Sequence, residues 1–150
     1  MSPVESQDTP PSRLTLQYRL EDLALVSPWI EMLGIRHALP EQTQFSINLC
    51  LEEALSNVIR HGHGHDPSHA ITVDFENNGK GQLALIVEDH AEPFDPVVAS
   101  AAKRDTASYT DDDLQPGGQG LRLLRSFSNA LAYEKLQDGN RLTIGFALPA

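Results

Sequence analysis

Period-two and period-four hydrophobic patterns alternate along this chain, and together they lay out its elements. Leu14, Leu16, Tyr18 and Leu20 alternate with Thr15, Gln17 and Arg19, which predicts a half-buried strand. Apolar positions at Leu23, Val26, Ile30, Leu33 and Ile35 predict helix over 21–38, with Pro28 either kinking it or opening a second helical segment. After Pro40 a longer helix runs to about His61, where Gly62 provides a stop. Ile71–Phe75 and Leu83–Val87 flank Asn77-Asn78-Gly79 and predict a hairpin. Asp95-Pro96 reads as a helix start, with Asp as N-cap and Pro in the first helical position. Residues 103–116 are irregular, and a loop of that length is either a functional lid or disordered. Helix over Leu121–Phe127 and a second hairpin around Asp138-Gly139-Asn140, from strands 130–136 and 142–148, complete the chain. Antiparallel hairpins interspersed with a few helices predict an α+β fold, a two-layer α/β sandwich with helices on one face of the sheet.

Composition narrows this picture. A chain of 150 residues suits one domain, which we expect over 13–150 behind a polar, proline-containing leader over 1–12. The formal net charge of −10 argues against nucleic acid or an anionic membrane surface as partner, because phosphate contacts need clustered cations. Cys50 is the single cysteine, so no intrachain disulfide forms, and its leucine neighbours suggest an inert core thiol. The leader has no apolar signal region, and no run is long enough to span a bilayer, so cytoplasmic residence is the expectation. The His61-Gly62-His63-Gly64-His65-Asp66 run fits no strong zinc spacing, and we read it as a flexible turn rather than a metal site.

Three segments carry candidate chemistry. In the long helix each residue advances by roughly 100°, so Glu53, Asn57 and His61 align along one face while Leu51 and Leu55 point roughly the other way. A carboxylate and a carboxamide one turn apart suit a metal–phosphate site: an amide oxygen coordinates a hard cation, and a carboxylate accepts a proton. A solvated polar stripe would show the same spacing. The apolar run Leu83–Val87 ends in Glu88-Asp89-His90-Ala91, an acidic strand terminus followed by a turn. Gln115-Pro116-Gly117-Gly118-Gln119-Gly120 opens a helix without the Lys-Ser/Thr of a Walker A loop, and Leu123 breaks the dinucleotide fingerprint. Glycine amides at a helix N-terminus nonetheless favour phosphate.

The order of these motifs resembles the GHKL (histidine-kinase-like) ATPase superfamily, and within it the anti-sigma-factor serine/threonine kinases of bacterial partner-switching systems. The likeness runs from about Arg13 to the C-terminus and implies the Bergerat type of sandwich, with a mixed, mostly antiparallel sheet. By that resemblance Glu53 is the general base, Asn57 the Mg²⁺ ligand, Asp89 the adenine reader, and Gly118 and Gly120 the phosphate-loop glycines. Ala91 stands where the family's Asp-x-Gly glycine flanks the base, which adds a methyl group to the pocket. Thr143 corresponds to a threonine that family members place near the adenine-binding Asp. The cation facing the γ-phosphate stays open among Lys103, Arg104 and Arg122, since Pro116 replaces an Arg found in some members. The resemblance further implies ATP and Mg²⁺, a STAS-domain anti-sigma-factor antagonist as phosphate acceptor, sequestration of a sigma factor or similar regulator, and a homodimer. A non-catalytic ATP-binding interaction module and a detached histidine-kinase ATPase domain are the alternatives.

Overall fold

The computed structural model describes residues 12–61, 70–90 and 116–149. Five strands, β1 (Arg13–Leu16), β2 (Ile71–Asn77), β3 (Gln82–Asp89), β4 (Ala130–Leu136) and β5 (Gly139–Ala147), form one sheet in the order β1-β2-β3-β5-β4. All four ladders are antiparallel, so no parallel pairing of a mixed sheet occurs among the described residues. Among the described residues three α-helices, α1 (Val26–His37), α2 (Glu41–His61) and α3 (Pro116–Phe127), make the second layer. The expected leader, apart from Ser12, and the expected helix start at Asp95-Pro96 lie outside the described residues, as does the run from Gly62 to Asp66.

Parity explains the core. Ile71, Val73 and Phe75 of β2, Leu83, Leu85 and Val87 of β3, and Leu142, Ile144 and Phe146 of β5 are all buried on the face that meets the helices. Ile47, Cys50, Leu51, Ala54, Leu55 and Ile59 of α2 pack against them, with Leu124 from α3. The expected hairpin forms, and the turn between β2 and β3 takes four residues, Asn78–Gly81. Asn77 Oδ1 accepts from Gly79 N (2.9 Å) and Asn78 Oδ1 from Lys80 N (2.7 Å). Gly79 and Gly81 adopt φ of 74° and 87°, a region that L side chains avoid.

Two sequence expectations change here. The first strand ends at Leu16 instead of continuing to Leu20. The Asp22 carboxylate accepts from Gln17 N (2.8 Å) and pairs with the Arg19 guanidinium (2.7 Å), which turns the chain into a 3-10 helix, Leu20–Leu25. Leu20 is consequently exposed. The expected helix over 21–38 is two pieces, and Pro28 sits in the first turn of α1, where a missing N–H leaves no broken bond.

Candidate nucleotide and phosphotransfer site

α2 delivers the first pair of side chains. Its apolar stripe fixes the rotation of the helix, and with it the direction of everything else on its surface. Glu53 comes out half-buried, while Asn57 is only 6% exposed beside buried Ser56. Neither lies on a wet face, which removes the solvated-stripe alternative for Asn57. Burial pushes the Glu53 carboxyl above the usual carboxylate range; Arg60 opposes that shift and Glu52 adds to it. A carboxylate of raised basicity suits proton transfer at neutral pH. The backbone of His61 closes the same helix.

α3 brings the glycines. Gly118 and Gly120 fall in its first turns, behind Pro116; the Gly118 amide belongs to the first turn, where helix N–H groups have no intrahelical acceptor, and Gly120 follows half a turn later. At the other end of α3, Phe127 meets Phe45 of α2 edge-on at 6.0 Å between ring centroids. Just beyond it, Asn129 N donates to Gly145 O (2.7 Å) and Asn129 Oδ1 accepts from Ala147 N (2.8 Å). Phe45 and Phe127 are thereby fixed at the Ala147 end of β5, whereas Asn140, at the start of β5, pairs with Asp89. At roughly 1.5 Å per residue, Asn57 lies about 18 Å along α2 from Phe45, and Gly118 and Gly120 lie about 14 and 10 Å along α3 from Phe127.

Asp89 continues the inward parity of Leu83, Leu85 and Val87, so its carboxylate enters the space between sheet and helices and is 6% exposed. Asn140 Nδ2 donates to Asp89 Oδ1 at 2.9 Å, and the Tyr133 hydroxyl donates to Asn140 Oδ1. The backbone just after Asp89 is clasped as well: His90 N donates to the Tyr18 hydroxyl (2.7 Å), and His90 Nδ1 meets Asp138 O at 3.1 Å. Burial pushes the Tyr18 phenol up and the nearby Asp89 charge adds to this, against the opposing effect of the His90 bond.

Thr143 is not at this site. It pairs with Ile86 on the opposite face of the sheet, because it is out of phase with Asn140, Leu142, Ile144 and Phe146. The residue that reaches Asp89 from the last strand is Asn140. Sequence reasoning missed it, although it stands as a polar residue in phase with an apolar alternating run. Ala91, Lys103 and Arg104 lie outside the described residues; Arg122 lies in α3. A cavity of about 330 Å³ bordered by Glu76, Gln82, Ala84, Ala130 and Gly145 opens at the other end of the sheet and shares no residue with this cluster.

Comparison with known proteins bears on the family and the fold. The family model for the histidine kinase-like ATPase domain matches residues 16–146. The chain belongs to that family. It is 31% identical over 117 residues to the serine/threonine-protein kinase BtrW of Bordetella bronchiseptica, covering 77% of this chain and 79% of BtrW. A chain of the SiaB–SiaC complex from Pseudomonas aeruginosa superimposes with a TM-score of 0.64 at 13% identity, covering 91% of this chain and 89% of that one. The histidine kinase domain of the blue-light-activated histidine kinase EL346 from Erythrobacter litoralis matches with a TM-score of 0.55 at 17% identity, covering 88% of this chain and 61% of that one. These two likenesses concern the fold: a histidine-kinase-like ATPase domain, with a five-stranded antiparallel sheet under a helical layer. Among the described residues no helix is long and apolar enough to cross a membrane.

Proposed function

We propose that this protein is an ATP-dependent serine/threonine kinase and regulatory switch. It phosphorylates a STAS-type anti-sigma-factor antagonist and, in its other state, sequesters a sigma factor or a similar regulator. The observation that carries this reading is the helix pair of half-buried Glu53, with its carboxyl pushed up by burial, one turn from the enclosed carboxamide of Asn57. Membership of an ATPase family and the identity to a named serine/threonine kinase support it. So does the presence of a structural neighbour in a two-protein complex.

In this reading Asp89 accepts from the exocyclic amine of adenine, and the amides around Gly118 and Gly120 receive phosphate oxygens. Asn57 would hold Mg²⁺ through its amide oxygen, a hard donor of the kind that ion takes. The ion, when bound, neutralises charge on the triphosphate. Glu53 takes the proton of a serine or threonine hydroxyl as its oxygen bonds to the γ-phosphorus, the bond to the β,γ-bridging oxygen breaks, and ADP leaves with that electron pair. The protein works in the cytoplasm as a homodimer, and its excess of negative charge favours protein partners over nucleic acid or anionic lipid.

The test is transfer of radiolabelled phosphate from ATP to a STAS-domain protein of the same organism, with wild type and Glu53→Gln. The expected result is labelled serine or threonine with wild type, and transfer reduced at least ~100-fold in Glu53→Gln with Mg²⁺-ATP binding retained. Undiminished transfer by the variant would remove Glu53 as base. ATP binding without any transfer would favour the interaction-module reading, to which the extra methyl of Ala91 already points.

A further inference from the structure

We infer that Asn140 and Tyr133 are positioning residues that make Asp89 selective for an amino-bearing purine, so that ATP is preferred over GTP. The inference rests on the nucleotide-binding reading above and adds a specificity device to it.

The polarity of the chain of hydrogen bonds is chemically forced. An ionised carboxylate only accepts, so the group that Asn140 presents to Asp89 Oδ1 at 2.9 Å has to be its NH₂. The Asn140 carbonyl then faces Tyr133 and only accepts, so the phenol has to donate. Tyr133 thus holds the amide against rotation, and the amide holds the carboxylate. Asn140 and Asp89 are both nearly fully buried, at 5% and 6% exposure. In such surroundings a flipped amide would set two acceptors against each other, and that arrangement is excluded.

Fixing one oxygen of a carboxylate sets the direction of the other. The backbone is fixed too. Gly139 lies so close to the end of β3 that a Cβ built on it would fall 1.8 Å from Asp89 O and 2.9 Å from His90 Cα. Asp89 is therefore an oriented acceptor, held from β4 through β5. An oriented acceptor attracts the exocyclic NH₂ of adenine and repels the carbonyl oxygen at the same position of guanine. Without the clasp the carboxylate turns, and both the attraction and the discrimination weaken.

The test is calorimetric titration of Mg²⁺-ATP and Mg²⁺-GTP into wild type, Tyr133→Phe and Asn140→Leu, with the melting temperature of each nucleotide-free protein. Tyr133→Phe removes one hydroxyl from a half-buried site and serves as the conservative variant should Asn140→Leu fold poorly. For Tyr133→Phe the expected loss is roughly threefold to tenfold in ATP affinity with GTP affinity unchanged, so that the ATP/GTP ratio falls with it. Asn140→Leu is expected to lower that ratio roughly tenfold or more. A merely structural role would weaken both nucleotides together and leave the ratio intact, and that result would overturn the inference. A wild type that binds neither nucleotide would overturn the nucleotide reading itself, and this inference with it. A wild type that prefers ATP beside a Tyr133→Phe variant of unchanged ratio would overturn this inference alone.

Discussion

Glu53 joins two demands that pull in opposite directions. A general base needs a carboxylate more basic than a solvated one, and partial burial supplies this by disfavouring the charge. The same burial burdens the fold. A carboxyl whose folded pKa is raised contributes stability that is fully present below its unfolded pKa, about 4.3, and lost as pH rises through the folded value. At neutral pH wild type therefore carries an unfavourable contribution that Glu53→Gln lacks. The variant is expected to unfold at slightly higher denaturant than wild type at neutral pH, by less than about 1 kcal/mol, because the half-buried carboxylate keeps some solvent screening. The difference should vanish near about pH 4. Chemical denaturation across that range checks it, and a constant offset at all pH values would contradict the burial account. Cys50 is the contrasting residue: burial pushes its thiol up to about 12, which makes it a packing group with no thiolate chemistry at neutral pH.

Elements here are set by local rules wherever those rules are strong, and by distant partners wherever they are weak. The alternation of β2, β3 and β5 was legible in the sequence, and so was the inward parity of Asp89. The same parity, counted from Leu142, Ile144 and Phe146, excludes Thr143 and selects Asn140. What counting does not provide is the hairpin register that brings Tyr133 onto Asn140 and Asn140 onto Asp89. Likewise, the spacing of Glu53 and Asn57 was legible, whereas the burial of Asn57 depends on how α2 packs within the folded sandwich. The early end of β1 escaped pattern reading because a single carboxylate, Asp22, bound to Gln17 N and Arg19, outweighs an alternation that continues through Tyr18 and Leu20. One element boundary is imperfect. α1 terminates with Ala38 in the left-handed region at φ 53°, where Leu39 N caps Gly34 O at 3.0 Å. Glycine adopts that conformation without the Cβ penalty. Ala38→Gly should therefore raise stability by about 0.5–1 kcal/mol without altering nucleotide affinity. A loss of stability would show that the αL cap is not strained.

At the scale of the whole molecule, one face of an antiparallel sheet is buried under helices, and Asp89 and Asn140 meet at one end of that interface. Asp89 and Asn140 stand at the last rungs of the β3–β5 ladder, Asn57 in the later turns of α2, and the glycines in the first turns of α3. A nucleotide held there would touch both layers at once, so its binding energy would be felt as global stability. Ligand at about a hundred times its Kd adds roughly 2.7 kcal/mol to a protein that binds it only when folded, several degrees of melting temperature for a domain of this size. The decisive measurement is thermal unfolding of wild type and Asn57→Ala with and without Mg²⁺-ATP. The account predicts a rise of several degrees in wild type and little or none in Asn57→Ala; equal melting temperatures with and without Mg²⁺-ATP in wild type would contradict it.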